Sequence, residues 1–328
     1  MSTLTVTPWD GKPISTPGVY AGVPMDAYHC GRLCAGPSIS SSGLRTIFDP
    51  KRGPMFYWMN SPLNPNRLEP EEKEAFTLGR AAHHLVLGED RFNRYYVARP
   101  EKLNGTFWNS NRTDCKDWLQ HCRDQGLTVL TPGQIDSIRG MAGLLPWQKD
   151  FEDSGLKNSA VVRAGALSGL VEHTIVGKDQ ETGVYLLSRP DAIPLHSTDF
   201  ADFKTSAGVD YDSLRRTVDD YRYDLQAVLA DICLQQAAGL KFTSFGFIFA
   251  MKKPPHAIEI VELKDVDLEE AVKDIRTAIR TFARCLESGR WPGPGGGRGD
   301  ARYIERSTWS REAALARRTM LELELEAA

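Results

Sequence analysis

Short apolar strands alternate with amphipathic helices through the central part of the chain, and this alternation restricts its possible folds most. The strand-like runs are rich in branched and aromatic residues, whereas the helical runs repeat apolar residues every three or four positions. The predicted order is strands at 166–176, 184–193 and 198–204, a helix at 211–238, strands at 242–251 and 257–263, and a helix from 267 to about 288. Such an order predicts one α/β domain with a central mixed sheet flanked by helices.

The two flanks of this central block have different patterns. Before it, helices are predicted at 40–47, 70–87 and 131–149, and the last of them opens with Thr131 and Pro132 as cap and first position. After it, a glycine-rich linker at 293–299 leads to a final helix near Ser310. We therefore predict three parts, which are an N-terminal helical extension at 1–150 packed on the core, the α/β core at 151–293, and a linker with a C-terminal helix at 294–328.

Composition excludes several classes of protein. No apolar run approaches the roughly 20 residues that a membrane span needs, and the first nine residues lack the basic and then apolar pattern of a secretory signal. The cysteines at 30, 34, 115, 122, 233 and 285 are too scattered for a disulfide framework, and they lack the paired spacing of a structural zinc site. We expect a cytoplasmic protein with free thiols and no membrane contact.

Positive charge is concentrated towards the end of the chain, although the net charge is only −3. Between residues 273 and 318 there are eleven basic residues, ten of them arginine, against five acidic ones. Two interpretations stay open for this stretch. It can be an ordinary solvated helical face, or it can be a surface that binds a polyanion, because the guanidinium fork suits phosphate.

Acidic residues recur on three successive predicted strands. Glu172 lies in the first strand, Asp191 at the end of the second and Asp202 in the third, with Lys204 two positions further on. Because side chains alternate along a strand, Asp202 and Lys204 share one face. Carboxylate oxygens suit Mg²⁺ or Mn²⁺, and a nearby lysine can position a water molecule or stabilise phosphate charge. Each acid alone also fits a turn or a surface strand, but the joint pattern favours a metal-dependent phosphodiester site.

The same motifs resemble the PD-(D/E)xK nuclease superfamily, and more narrowly the RecE or exonuclease VIII group of phage exonucleases in its RecB-like branch. The signature is Pro190-Asp191 with Asp202-Phe203-Lys204. Other similar segments are Gly18-Val19-Tyr20, Tyr28-His29, Ile39-Ser40-Ser41-Ser42-Gly43-Leu44, Leu78-Gly79-Arg80-Ala81-Ala82-His83, Tyr221-Arg222-Tyr223-Asp224-Leu225-Gln226, Lys252-Lys253-Pro254-Pro255 and Trp291-Pro292. The resemblance covers about residues 17–293, and the order of the segments makes it specific.

This resemblance implies a set of metal ligands. His83 would bind the metal as the helix histidine of RecB-like nucleases does, and the adjacent His84 is the alternative. Asp191 and Asp202 would be the firmer acidic ligands, and the carbonyl of Phe203 could add another.

Other matching residues would contact the substrate or take part in catalysis. Glu172 would be a further acidic residue of the site, and Lys204 would be the catalytic lysine. Gln226 would contact the substrate or the waters of the site, with Arg222 and Tyr223 as candidate phosphate contacts. RecB-like nucleases often carry a tyrosine four residues after this glutamine, a position that is alanine here.

The implied activity is that of a Mg²⁺-dependent exodeoxyribonuclease, with Mn²⁺ as a possible substitute. It would degrade linear double-stranded DNA from its ends in the 5′→3′ direction and leave 3′ single strands for recombination. The resemblance further implies a phage or prophage protein in a bacterial cytoplasm, a ring-like homo-oligomer, and a single-strand annealing protein as partner. The alternatives are a RecB-like nuclease of other polarity or single-strand specificity, and a non-catalytic DNA-binding protein on the same fold.

Overall fold

The computed structural model describes residues 4–68, 74–86, 92–144, 167–296, 301 and 303–326. Their strands are β1 (Val6–Pro8), β2 (Gly18–Ala21), β3 (Ser38–Ser40), β4 (Tyr96–Ala98), β5 (Lys102–Leu103), β6 (Thr106–Phe107), β7 (Thr128–Leu130), β8 (Leu170–Val171), β9 (Thr174–Lys178), β10 (Tyr185–Ser188), β11 (Ala192–Ile193), β12 (Asp199–Ser206), β13 (Ser244–Met251) and β14 (Ile258–Glu262). Their helices are α1 (Met25–His29), α2 (Ser41–Phe48), α3 (Gly53–Asn60), α4 (Glu74–Val86), α5 (Phe92–Tyr95), α6 (Thr113–Asp124), α7 (Pro132–Leu144), α8 (Tyr211–Tyr221), α9 (Tyr223–Ala238), α10 (Asp265–Ser288) and α11 (Thr308–Glu326).

A three-stranded mixed sheet forms the centre of the molecule. β12 and β13 run parallel over all eight residues of each strand, and β14 is antiparallel to β13. Phe247 and Phe249 on one face pack into a core that includes residues of α9 and α10. Phe203 and Ile248 on the opposite face pack against buried residues of α4 and α7. Parallel strands are normally covered on both faces, and this layered arrangement confirms the predicted α/β class.

The beginning of the chain belongs to a second mixed sheet, whose strand order is β1–β2–β9–β10–β3. β2 is antiparallel to β9, and β3 runs parallel to β10. The N-terminal part therefore supplies strands to the core in addition to the predicted helices. The predicted division near residue 150 lies outside the described residues and stays a prediction.

Two of the predicted strands are each broken into two, which corrects the sequence analysis. The first is interrupted at Glu172, whose φ of +54° takes the backbone out of the extended region. The second is interrupted at Arg189-Pro190-Asp191. β9, the later half of the first predicted strand, pairs with β10, the earlier half of the second. The remaining halves, β8 and β11, pair with each other. Both acids consequently lie where the chain passes from one sheet to another.

The predicted helix at 211–238 is also two helices. α8 ends and α9 begins at Arg222, whose φ of +50° is left-handed. α9 then packs against β9, β10, α2 and α10, with half of its sixteen residues buried. The periodicity of apolar residues runs on through the break, which explains why the sequence predicts a single helix.

The remaining helices differ from the predictions mainly at their ends. α10 begins at Asp265 rather than at 267. α7 opens as predicted, because the amide of Gln134 donates to the hydroxyl of Thr131 and the amide of Thr131 donates to the side chain of Gln134. The predicted residues 70–73, 87 and 145–149 lie outside the described part. The six cysteines are free, and no helix in the described ranges is long and apolar enough to cross a membrane.

Candidate active site

The side chains of Asp202 and Lys204 lie together on β12, as their spacing predicts. The ammonium group of Lys204 donates to the Oδ2 atom of Asp202. On the other side, the amide Nε2 of Gln226 donates to Oδ1 of Asp202 at 2.9 Å. Gln226 reaches the strand from the first turns of α9, which covers this face of the sheet. Asp202 is only 1% exposed, so one buried carboxylate is held by a cation and an amide.

Asp191 approaches the same strand from its open edge. Its Oδ2 atom accepts a hydrogen bond from the backbone amide of Phe203, the residue between Asp202 and Lys204. Its Oδ1 atom lies 3.3 Å from Nδ1 of His83 on α4. Asp191 is 5% exposed. This carboxylate therefore links the central strand to the helix on the other face of the sheet.

Of the two adjacent histidines, His83 is the one beside the acids. Its ring also contacts that of Phe203, with 5.2 Å between the ring centroids. The ring of His84 instead packs against Tyr95 and Tyr96, with centroids 5.5 and 5.3 Å away. The geometry thus favours His83 over His84 as a ligand.

Two further predicted contributors, Glu172 and the carbonyl of Phe203, are adjacent to these carboxylates. The amide of Glu172 donates to the carbonyl oxygen of Asp191 at 3.1 Å, so these two residues are joined through their backbones. In a strand, the amide and carbonyl of one residue point to the same side. Because the amide of Phe203 points to Asp191, its carbonyl is expected on that side too.

Burial and neighbouring charges shift the pKa values of the site. Burial lowers the pKa of Lys204 to about 8, although the negative charges of Asp191 and Glu172 oppose this shift. Burial by itself would raise the pKa of Asp191, but the charge and hydrogen bond of His83 and the charge of Lys204 bring it below its ordinary value. Asp191 is therefore ionised at neutral pH, as a metal ligand must be.

The two predicted phosphate contacts, Arg222 and Tyr223, are both engaged with other groups of the protein. The guanidinium of Arg222 is held by the carboxylates of Asp224 and Asp274, at 2.7 and 2.6 Å. Tyr223 is buried and stacks on Phe247 with 5.1 Å between ring centroids. To bind these residues, a phosphate would have to displace two carboxylates or reach into the core, so their role as phosphate contacts stays a prediction.

Arg45 on α2 is a neighbour of the site that the sequence analysis missed. Its guanidinium donates to the carbonyl oxygen of Tyr221 at 2.9 Å and lies 5.8 Å from the ring centroid of Tyr223. Its charge lowers the pKa of Lys204. One signal could have found it, since Arg45 is the only basic residue between Arg32 and Lys51.

The donor set has the chemistry of a site for a hard divalent cation. Two carboxylates, one imidazole and a backbone carbonyl are the ligand types that Mg²⁺ and Mn²⁺ accept. In the described part of the chain, however, no three His, Cys, Asp or Glu side chains gather around one point. Asp202 is turned to Lys204, and Asp191 is turned to His83, so each of the two carboxylates has its own side-chain partner.

The layered sheet and the paired carboxylates beside a lysine define a domain of the PD-(D/E)xK type. A family model described as "PDDEXK-like domain of unknown function (DUF3799)" matches residues 62–304. The chain belongs to this family, and the superfamily resemblance seen in the sequence is confirmed.

Comparisons with individual proteins add less. A crystal structure of an exonuclease candidate from Eubacterium rectale aligns with a TM-score of 0.49 and 15% identity, over 82% of this chain and 91% of that chain. A phage-related exonuclease from Haemophilus somnus 129PT aligns with a TM-score of 0.31 and 11% identity, over 77% and 96% of the two chains. No curated protein matches. These structural similarities are too low to carry an argument.

Proposed function

We propose that this chain is a divalent-metal-dependent nuclease that degrades linear DNA from its ends. One observation carries the proposal. The buried carboxylate of Asp191 accepts from the amide of Phe203, and the buried carboxylate of the preceding residue, Asp202, accepts from the ammonium of Lys204. Buried ionisable groups with shifted pKa values are concentrated at functional sites. The family to which the chain belongs has no assigned function of its own, so the activity rests on this geometry and on the motif.

In this proposal His83, Asp191 and Asp202 would hold the metal, and the carbonyl of Phe203 would be a further ligand. Together they would hold a divalent ion that, when bound, would polarise the scissile phosphate and lower the pKa of a water molecule. Lys204 would orient that water or stabilise the charge that develops on the phosphate. Gln226 holds the Oδ1 atom of Asp202 and so fixes the direction of this carboxylate. Glu172, joined to the backbone of Asp191, adds negative charge near Lys204.

The finer features of the proposal follow from the motif resemblance to the RecE group. They are the use of Mg²⁺, degradation in the 5′→3′ direction, and production of 3′ single strands for recombination. The proposal takes three more features from this resemblance, which are a ring-like homo-oligomer, an annealing protein as partner and a phage or prophage origin.

The decisive measurement is Mg²⁺-dependent nucleotide release from linear and from closed-circular duplex DNA. We expect release from the linear DNA only, with a fall of about 10²–10³-fold for Asp202→Asn and for Lys204→Ala. Asp199→Asn is the matched control, because Asp199 lies on the same strand and accepts a hydrogen bond from Ser244 at 3.0 Å. Linear substrates with one blocked 5′ or 3′ end would then give the direction.

Three other results would change the assignment. Cutting of the closed circle would make the protein an endonuclease on the same fold. Preference for single strands would indicate a RecB-like nuclease of another specificity. DNA binding without cleavage in Mg²⁺ or Mn²⁺ would indicate a non-catalytic binding protein.

A further inference from the structure

We propose that the turn between β13 and β14 forms, with the neighbouring end of α7, a binding site for the phosphates of duplex DNA next to the active site. Its cationic groups are Lys252, Lys253 and Arg139, which we call the basic edge. The inference rests on the proposed function, because the ligand is the proposed substrate. It goes beyond that function by assigning substrate contacts outside the carboxylate centre.

The position of the turn follows from the register of the central sheet. Because β12 and β13 are parallel, their carboxyl ends lie at the same edge, and Ser206 pairs with Met251 as the last couple. The chain then turns, and the amide of Lys252 donates to the carbonyl oxygen of Ser206 at 3.0 Å. With the usual rise and spacing of strands, the backbone of Lys252 lies about 10 Å from that of Lys204. A duplex at Lys204 therefore has phosphates within reach of the turn.

Within the described ranges, the charges of the basic edge have no acidic partner. The sequence has no acidic residue between 232 and 258. Lys253 and Arg139 are exposed and Lys252 is half-buried, and none of the three forms an ion pair with a residue in the described ranges. By contrast, Arg222 is held by two carboxylates. Cations without internal partners are the groups that can exchange counterions for DNA phosphates.

Contacts of His256 hold the turn in place. Its amide donates to the carbonyl oxygen of Lys253 at 3.0 Å, and its Nδ1 atom lies 3.0 Å from the carbonyl oxygen of Met251. The ring packs so closely on Gly140 of α7 that a Cβ atom there would clash with the ring. The turn is thus anchored to the helix that carries Arg139, and its lysines are positioned before any DNA binds.

The test measures binding of the full-length chain to a labelled blunt-ended duplex by fluorescence anisotropy, in EDTA and at several NaCl concentrations. For the double variant Lys252→Ala/Lys253→Ala we expect an affinity loss of about tenfold or more. The slope of log affinity against log salt should also fall by about 2, one for each lost phosphate contact. Lys241→Ala is the matched control, because this exposed lysine precedes the opposite end of β13 and should leave both values unchanged.

A second pair of variants separates charge from positioning. Lys252→Arg/Lys253→Arg keeps both charges and should restore the affinity and the salt slope. His256→Ala keeps both lysines but removes the anchor on Gly140, so it should weaken binding by a smaller factor. Thermal unfolding of each variant shows whether a loss comes from misfolding.

The outcomes distinguish this inference from the proposed function. Suppose that the parent binds and degrades duplex DNA and that the double-alanine variant has the same affinity and salt slope. This result would overturn the basic edge as a DNA-binding site and leave the proposed nuclease activity standing. A parent that neither binds nor degrades DNA removes the proposed function and the basic edge together.

Discussion

The central strand β12 and the arginine-rich stretch at 273–318 use charge in opposite ways. β12 carries three charged residues, and one of them, Asp202, is almost completely buried and bonded to two neighbours. The stretch at 273–318 carries eleven basic residues, yet Lys273, Arg276, Arg280 and Arg311 form ion pairs with acids, and no residue of α11 is buried.

This difference indicates that the burial of a charged group is a better guide to the candidate active site of this molecule than the number of charges. A buried charge without a partner is costly, whereas an exposed ion pair contributes little because water and salt screen it. Four cations of the arginine-rich stretch are paired with acids, and binding of a polyanion by the others stays a prediction. The cations that we propose as DNA contacts beside the active site are those of the basic edge.

The largest expected difference between the two regions is in packing. Phe203→Ala should lower the free energy of unfolding by about 3–5 kcal/mol, because its ring is fully buried between α4, α7 and β13. Trp309→Ala on α11, whose side chain is 77% exposed, should change it by less than about 0.5 kcal/mol. Urea unfolding of both variants measures this, and equal losses would show that α11 packs against the core.

A smaller, pH-dependent effect is expected where the arginine-rich stretch pairs with a buried acid. The guanidinium of Arg276 on α10 binds the buried carboxylate of Asp179. Burial would raise the pKa of Asp179, but hydrogen bonds from Thr182 and the charge of Arg276 bring it below its ordinary value of 3.8. A lowered pKa gives stability that is present above the ordinary value and is lost as the pH falls through the folded value.

The measurement for this pair is urea unfolding between pH 6 and pH 2.5. The parent should lose stability more steeply than Asp179→Asn over the acid part of the range, because asparagine cannot be protonated there. Parallel curves would mean that Asp179 has the same pKa in the folded and the unfolded chain.

The smallest effect is expected for an exposed pair one helical turn away. Arg280 binds Glu181 through two hydrogen bonds at 2.8 and 2.9 Å, but both side chains are about half exposed. Arg280→Ala should leave the unfolding midpoint unchanged within error in 150 mM NaCl. A clear shift that disappears in 1 M NaCl would show that this pair acts as part of a network with Arg276.

The sequence alone predicted the parts that depend on local spacing. Period-two alternation put Asp202 and Lys204 on one face, and they contact each other. The Thr131-Pro132 start predicted the opening of α7. The resemblance selected His83, which lies beside Asp191.

The tertiary structure decided whatever depends on long-range contacts. Backbone breaks at Glu172 and Arg222 interrupt the strand predicted at 166–176 and the helix predicted at 211–238, and the apolar pattern resumes beyond each break, so periodicity does not reveal them. The partners of Arg222 include Asp274, which is 52 residues away. The anchoring of the basic edge depends on a glycine of α7 that meets His256. Sequence patterns report which face a side chain takes on its own element, whereas pairing and burial arise only when distant elements pack together.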